Sequence, residues 1–427
     1  RRALLRGASL LGGGAMLAGL PLARVLAAAP PQNWANVTAL VERYVAQRKV
    51  SGMIAALGWQ QAPPLYIARG REGFDDKDPN GPDSLFRCYS MTKPLTGMAA
   101  AILIEEGKLK LDQPLADFAP EFARMQVAVD PKVGLDARPT DRLITIRHLL
   151  THTAGLGYAV VGKEKVSDRL KQLGVNPGLV SRRRLPGIND GPPTPGPDEF
   201  LRRAATVPLV AEPGTKWRYS MALDVLGIVI ARASGTRGLD QFLQERLFGP
   251  AGMTNSFFQV PGAAQGRLTT NYVLLGGVPL PIDRPAGSIY DTPPPFAFGG
   301  SGLVSSPADY DRFLAMVLGM GMLNGKRVVS EAAVRLATSD LLPPEADLTG
   351  TFVAGQRFGA GAVVGSGKDQ GLWGWSGAAG TVGFAQTRLG LRTSLFVQYM
   401  PQDKLPILKE FPIAVGADLT AMGHAPQ

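Results

Sequence analysis

The chain of 427 residues contains one cysteine, Cys88, so an intramolecular disulfide is excluded. It has three histidines, His148, His152 and His424, and no H-E-x-x-H pattern. With one thiol beside them they make a poor structural zinc set, so neither a metal nor any other cofactor is expected. No stripe interleaves Lys or Arg with aromatic residues, so a nucleic-acid partner is not expected. Internal repeats are also lacking.

What is present suits one large soluble domain: 45% of residues are hydrophobic and 19% charged. The net charge is +10. Arg1, Arg2, Arg6 and Arg24 carry four of those charges within the first 29 residues, which hold no acid, leaving +6 for the remainder. Arg1-Arg2-Ala3-Leu4-Leu5-Arg6, an apolar Gly/Ala-rich run to Ala23 and the small residues Ala27-Ala28-Ala29 before Pro30 form the tripartite plan of an export signal. The paired arginines resemble the twin-arginine type. The run is shorter and more glycine-rich than a membrane span. The expectation is a periplasmic or secreted chain with no stable span after cleavage, and a single domain over residues 30–427.

Periodicity sets out the elements. Helices are expected at 36–48, 90–106, 223–233, 240–248, 307–318 and 407–422. Strands are expected at 53–58, 65–69, 359–364, 381–387 and 393–400. Strands at both ends with helices between them predict an α+β fold. Its antiparallel sheet joins the two ends and packs with helices, beside a mostly helical region over roughly 90–320. Residues 162–200, with Arg182-Arg183-Arg184 and five prolines from Pro186 to Pro197, read as a surface excursion or lid. Residues 259–297 read as a Gly/Pro-rich connection.

Ser90-Met91-Thr92-Lys93 is the sole S-x-x-K. On a helix, positions i and i+3 share a face, so the Lys93 amine can reach the Ser90 hydroxyl. Such a hydroxyl is a weak nucleophile until a base takes its proton. A helix start at Ser90 also aims backbone N–H groups at a developing oxyanion. The pattern alone is common by chance, and an ordinary amphipathic helix would carry it equally well.

Its surroundings narrow the reading. The segment Leu85 to Pro94 resembles the nucleophile segment of the serine β-lactamase and penicillin-binding-protein-like superfamily, nearest the class C β-lactamase-like family VIII carboxylesterases. Ile144 to Leu156, Pro250-Ala251-Gly252-Met253 and Gly300 to Ser305 resemble further blocks of that superfamily in the same order. The resemblance implies a β-lactamase/transpeptidase-like fold and a proton-shuttling role for Tyr219 in Tyr219-Ser220-Met221. Met221 stands where the family usually has Asn. Trp375-Ser376-Gly377 stands where penicillin-recognising enzymes carry K-T-G, and looks like the W-G-G of the esterases. By the same correspondence Trp375, Ser376, Gly377 and Met221 border the substrate. The resemblance also implies that the backbone N–H groups of Ser90 and Ala378 form the oxyanion hole.

Two decoys compete. Gly374 to Ala378 is one residue short of G-x-S-x-G, which would make Ser376 the nucleophile, but that motif needs a helix after it. His148 or His152 could serve a Ser-His-Asp triad. Cys88 reads as a packing residue. The expected function is a serine hydrolase working through an acyl-enzyme, a carboxylesterase on small or medium acyl esters. The alternatives are a β-lactamase or D-amino-acid peptidase of the envelope, and a catalytically silent binding protein of the same fold.

Overall fold

The computed structural model describes residues 33–186, 189 and 191–424; the expected export signal at 1–29 lies outside the described residues. In chain order, the elements that position the site begin with α1 (Ala35–Ala46), β1 (Gly52–Trp59), β2 (Leu65–Gly70), α2 (Lys93–Glu105), α3 (Ala222–Ser234), β3 (Asn271–Leu275) and β4 (Val278–Asp283). They continue with α4 (Pro307–Leu318), β5 (Arg357–Phe358), β6 (Val363–Val364), β7 (Leu372–Ser376), β8 (Val382–Gln386), β9 (Leu391–Phe396) and α5 (Ile407–Ala421).

β1 is apolar on both faces, which requires cover on both. It lies inside a seven-stranded sheet of order β5-β6-β7-β8-β9-β1-β2, antiparallel throughout. Met53, Ala55 and Leu57 point to one face, where they pack with Val37 and Val41 of α1 and Phe411 and Val415 of α5. Ile54 joins the larger core on the other face, with Leu95 of α2 and Phe313 of α4. The result is the predicted α+β architecture, with the N-terminal hairpin and the C-terminal strands in one sheet.

The two ends are also tied by hydrogen bonds. No side chain of its own caps α1, and Asp418 of α5 takes that place. Its carboxylate accepts from Asn36 N at 2.9 Å, Asn36 Nδ2 at 2.7 Å and Val37 N at 3.0 Å.

Three expectations need correction. The 259–297 connection contains a hairpin, β3–β4, turning on Gly276-Gly277 with φ of 59° and 85°. Strand β7 was not expected; Leu-Trp-Gly-Trp-Ser is buried throughout and has no period-two alternation. Residues 162–200 are not wholly a surface feature. Val166, Leu170, Val175 and Leu179 are buried, and Ser181 Oγ donates to the Ile282 carbonyl at 2.6 Å. Arg182, Arg183 and Arg184 are exposed.

Candidate active site

The nucleophile segment enters along Phe86–Arg87, paired with Val304–Ser305. The Arg87 guanidinium is buried in an ion pair with Asp283 at the end of β4, with Nε 3.0 Å from the carboxylate. The chain then turns at Tyr89, whose φ of 44° is uncommon for a bulky residue and costs on the order of 1–3 kcal/mol. That conformation is held from both sides. Asn271 Nδ2 donates to the buried Tyr89 hydroxyl at 3.0 Å, and Thr92 Oγ1 donates to the Tyr89 carbonyl at 2.6 Å.

Ser90 consequently sits in a 3-10 turn, Tyr89–Thr92, and α2 begins at Lys93. This refines the expected α-helix. Side chains at i and i+3 eclipse in a 3-10 helix, which brings the two closer than α geometry would. Lys93 Nζ donates to Ser90 Oγ at 3.0 Å and to the Gly300 carbonyl at 2.7 Å. The Lys93 side chain is fully buried. Its Nζ lies 4.6 Å from the ring centroid of Tyr219 and 5.8 Å from that of Tyr158.

Tyr219 approaches from the loop before α3, and its hydroxyl donates to Ser90 Oγ at 2.6 Å. Its own oxygen accepts from Trp375 Nε1 at 3.3 Å. Trp375 and Met221 are each 1% exposed. The resemblance has both bordering the substrate; in the structure Met221 belongs to the core, and Trp375 backs the tyrosine. Ser376 ends β7, 4% exposed, and a turn into strand β8 follows, so the strand–turn–helix of a nucleophile elbow is absent there.

Gly377 packs against the nucleophile segment. A Cβ on it would stand 2.2 Å from the Cys88 carbonyl, so only glycine fits. Thr381 Oγ1 donates to that same carbonyl at 3.3 Å. The turn's own hydrogen bonds use the N–H groups of Gly377 and Gly380 and leave out that of Ala378. Ser90 N–H is at the start of its helical turn, where no carbonyl of the same element reaches it.

The histidines have structural partners. His148 Nδ1 accepts from Thr145 N at 3.2 Å and closes a capping box on the helix Ile146–Leu150. Burial depresses its pKa to about 4. His152 is fully buried; its Nδ1 accepts from Ser220 N at 3.3 Å, and its ring packs 4.8 Å from that of Tyr219. Burial, then the charge of Lys93, hold it well below the usual range, so it stays neutral. Neither ring is bonded to Ser90 in the way a triad base requires. Cys88 is fully buried, and burial pushes its thiol far up. Among the described residues no group of His, Cys, Asp and Glu could hold a metal ion, and no helix is long and apolar enough to cross a membrane.

Two participants escaped sequence reasoning. One is the Gly300 carbonyl under Lys93. The other is Asp224 in the first turn of α3, whose Oδ1 accepts from Gly300 N at 2.8 Å. Its only trace in the sequence is an acid within the apolar run Ala222 to Ile230. Burial raises the Asp224 carboxyl to about 7, opposed by the charge of Lys93 and the bond from Gly300 N–H.

The chain matches the beta-lactamase family over residues 37–410. It is 37% identical over 372 residues to an uncharacterised protein of Mycobacterium tuberculosis, covering 82% of this chain and 86% of that one. Esterase EstB of Burkholderia gladioli is 37% identical over 205 residues, covering 47% of this chain and 45% of the esterase. Unliganded simvastatin synthase LovD of Aspergillus terreus superposes with a TM-score of 0.72 at 22% identity, over 90% of this chain and 98% of that structure, a likeness of fold. By its sequence match, the chain belongs to the beta-lactamase family of serine hydrolases.

Proposed function

We propose that this chain is a carboxylesterase that forms an acyl-enzyme on Ser90. The observation that carries the reading is the placement of Ser90 Oγ, 2.6 Å from the Tyr219 hydroxyl and 3.0 Å from Lys93 Nζ. In the reactive form the Ser90–Lys93–Tyr219 cluster lacks one proton. Ser90 attacks the ester carbonyl carbon and hands its proton to whichever of Lys93 Nζ and Tyr219 Oη lacks it. The N–H groups of Ser90 and Ala378 receive the charge developing on the carbonyl oxygen. The alcohol recovers the proton as the C–O bond breaks. Water then attacks the acyl carbon by the same route, returning Ser90 and a carboxylic acid.

Selectivity for neutral esters follows from Trp375. A carboxylate-bearing β-lactam needs a cation where this chain has an indole, because an unpaired buried charge is costly. A neutral ester needs none. An esterase among the relatives supports this choice. The intact arrangement of Ser90, Lys93 and Tyr219 speaks against a silent binding protein.

The deciding experiment compares p-nitrophenyl butyrate with nitrocefin. The expected kcat/KM ratio is at least about 100, equal to ~2.7 kcal/mol of transition-state binding. Trp375→Lys should narrow it, mainly by costing ester activity. Comparable rates on the two substrates would move the chain to the β-lactamase or peptidase reading. We further infer export by the twin-arginine route from Arg1-Arg2 and the run behind them. Replacing the pair by Lys-Lys should hold the chain in the cytoplasm, and unchanged export would refute that route.

A further inference from the structure

Asp224 is a fully buried carboxylate one residue removed from the catalytic cluster, and the reaction above gives it no part. Its Oδ1 takes the N–H of Gly300, while the carbonyl of that same Gly300 takes the amine of Lys93. One glycine thus bridges an acid on α3 and the base on α2. The fit is tight: a Cβ on Gly300 would stand 2.5 Å from Asp224 Oδ2 and 2.9 Å from Oδ1, so no other residue could occupy the bridge with this carboxylate in place. The preceding residue is pinned as well, since Thr96 Oγ1 donates to the Gly299 carbonyl at 2.7 Å. Among the described residues, Asp224 Oδ2 finds no hydrogen-bond partner. A buried carboxylate with half its acceptors empty is expensive to keep for packing alone.

The charged and titratable groups that face this carboxylate are few. Lys93 comes from α2 and Tyr158 from the loop after residue 150, and the Tyr219 ring packs against that of Tyr158 at 5.7 Å. The Lys93 ammonium is the only cation in this set. His152, neutral and packed 4.8 Å from the Tyr219 ring, adds no charge of its own.

We infer that Asp224 is the positioning residue that keeps Lys93 charged and anchored, so that the proton missing from the reactive cluster is missing from Tyr219. The inference rests on the esterase reading. With Asp224 ionised, its negative charge favours the ammonium form of Lys93. The ammonium lies 4.6 Å from the Tyr219 ring centroid and stabilises a phenolate there, as does the N–H of Trp375. Ser90 then passes its proton to the Tyr219 oxygen, and the leaving alcohol takes that proton back. Lys93 donates hydrogen bonds throughout and changes its proton count at no step. When Asp224 is protonated, this arrangement loses its counter-charge and the rate falls.

The test uses the whole chain with Asp224→Asn and Asp224→Ala, read by kcat and KM for p-nitrophenyl butyrate over about pH 5 to 9, by fluorophosphonate labelling and by thermal melting. The Asn side chain still accepts from Gly300 N–H but carries no charge. It should melt near the wild type, keep KM within about threefold, lower kcat about thirtyfold, and erase the acid limb near neutral pH. The Ala variant also frees the Gly300 bridge and should lose roughly another tenfold in kcat. An Asn variant with the wild-type kcat and acid limb overturns the inference while leaving the esterase reading intact. Equal losses in both variants with a profile of wild-type shape would mark a structural role only, and would overturn it too. A wild-type chain that takes no fluorophosphonate label overturns the esterase reading and this inference together.

Discussion

The indole N–H of Trp375 donates to the Tyr219 hydroxyl oxygen at 3.3 Å, and the rings lie 5.8 Å apart at 34°. The tryptophan at the usual K-T-G position therefore acts on the tyrosine from behind. A donor there stabilises negative charge on that oxygen. Trp375→Phe keeps an aromatic filler and removes the donor. It should lower kcat for p-nitrophenyl butyrate about tenfold, ~1.4 kcal/mol, with KM nearly unchanged. A variant with raised KM and unchanged kcat would instead make Trp375 a substrate contact.

Ser90→Ala should abolish both turnover and fluorophosphonate labelling. Ser376→Ala should retain the label, because Ser376 ends a buried strand followed by a turn into another strand. Loss of label in the Ser376 variant alone would relocate the nucleophile.

His148 gives a pH prediction for stability. Its folded pKa, about 4, lies below the unfolded value near 6.5. The neutral ring therefore contributes stability that is present above about pH 6.5 and is lost as pH falls through about 4. Glutamine at this third helical position can accept the Thr145 N–H as His148 Nδ1 does, and it does not titrate. His148→Gln should match the wild-type Tm near pH 7.5 and exceed it at pH 5 by roughly 1 kcal/mol of stability, a figure lowered for partial exposure. Equal melting at both pH values would remove the effect.

Limited trypsin digestion should cut first after Arg183 or Arg184. Arg182 is held by the Asp291 carboxylate and donates to the Ser288 carbonyl at 3.1 Å. The next two arginines are exposed on the outer turn of the 162–200 segment. Initial cleavage at another site would show that the packed stretches on either side, around Leu170 and Leu179, hold this turn more firmly than its exposure suggests.

Contacts that depend on local spacing were readable from sequence, and contacts between distant segments were not. Ser90 and Lys93 are three residues apart, so their meeting could be anticipated, although the 3-10 geometry behind it comes from Tyr89 and its partner Asn271. The positions of Tyr219 and Ala378 came from family resemblance. The hairpin β1–β2 showed as two strand-like runs on either side of a Gln-Gln-Ala-Pro-Pro turn, while β7 concealed itself by being buried on both faces. The Gly276-Gly277 turn was a visible hairpin signal, masked by the prolines around it. Asp224 illustrates the limit. An acid in an apolar helix is conspicuous, yet its partner is the backbone of a glycine 76 residues away. Spacing rules carry no information about a pairing of that kind.

The strand order has a consequence for how the chain is made. β1 pairs on one side with its neighbour β2, and on the other with β9, Ile54 opposite Phe396. During synthesis from the N-terminus, the β1 edge therefore stays open until residues 391–396 emerge, more than three hundred residues after β1 itself. An open apolar edge of that kind is a template for pairing with other chains. A nascent chain of this protein must be shielded along that edge while the intervening segment is made, and the sheet closes only once β9 has been released.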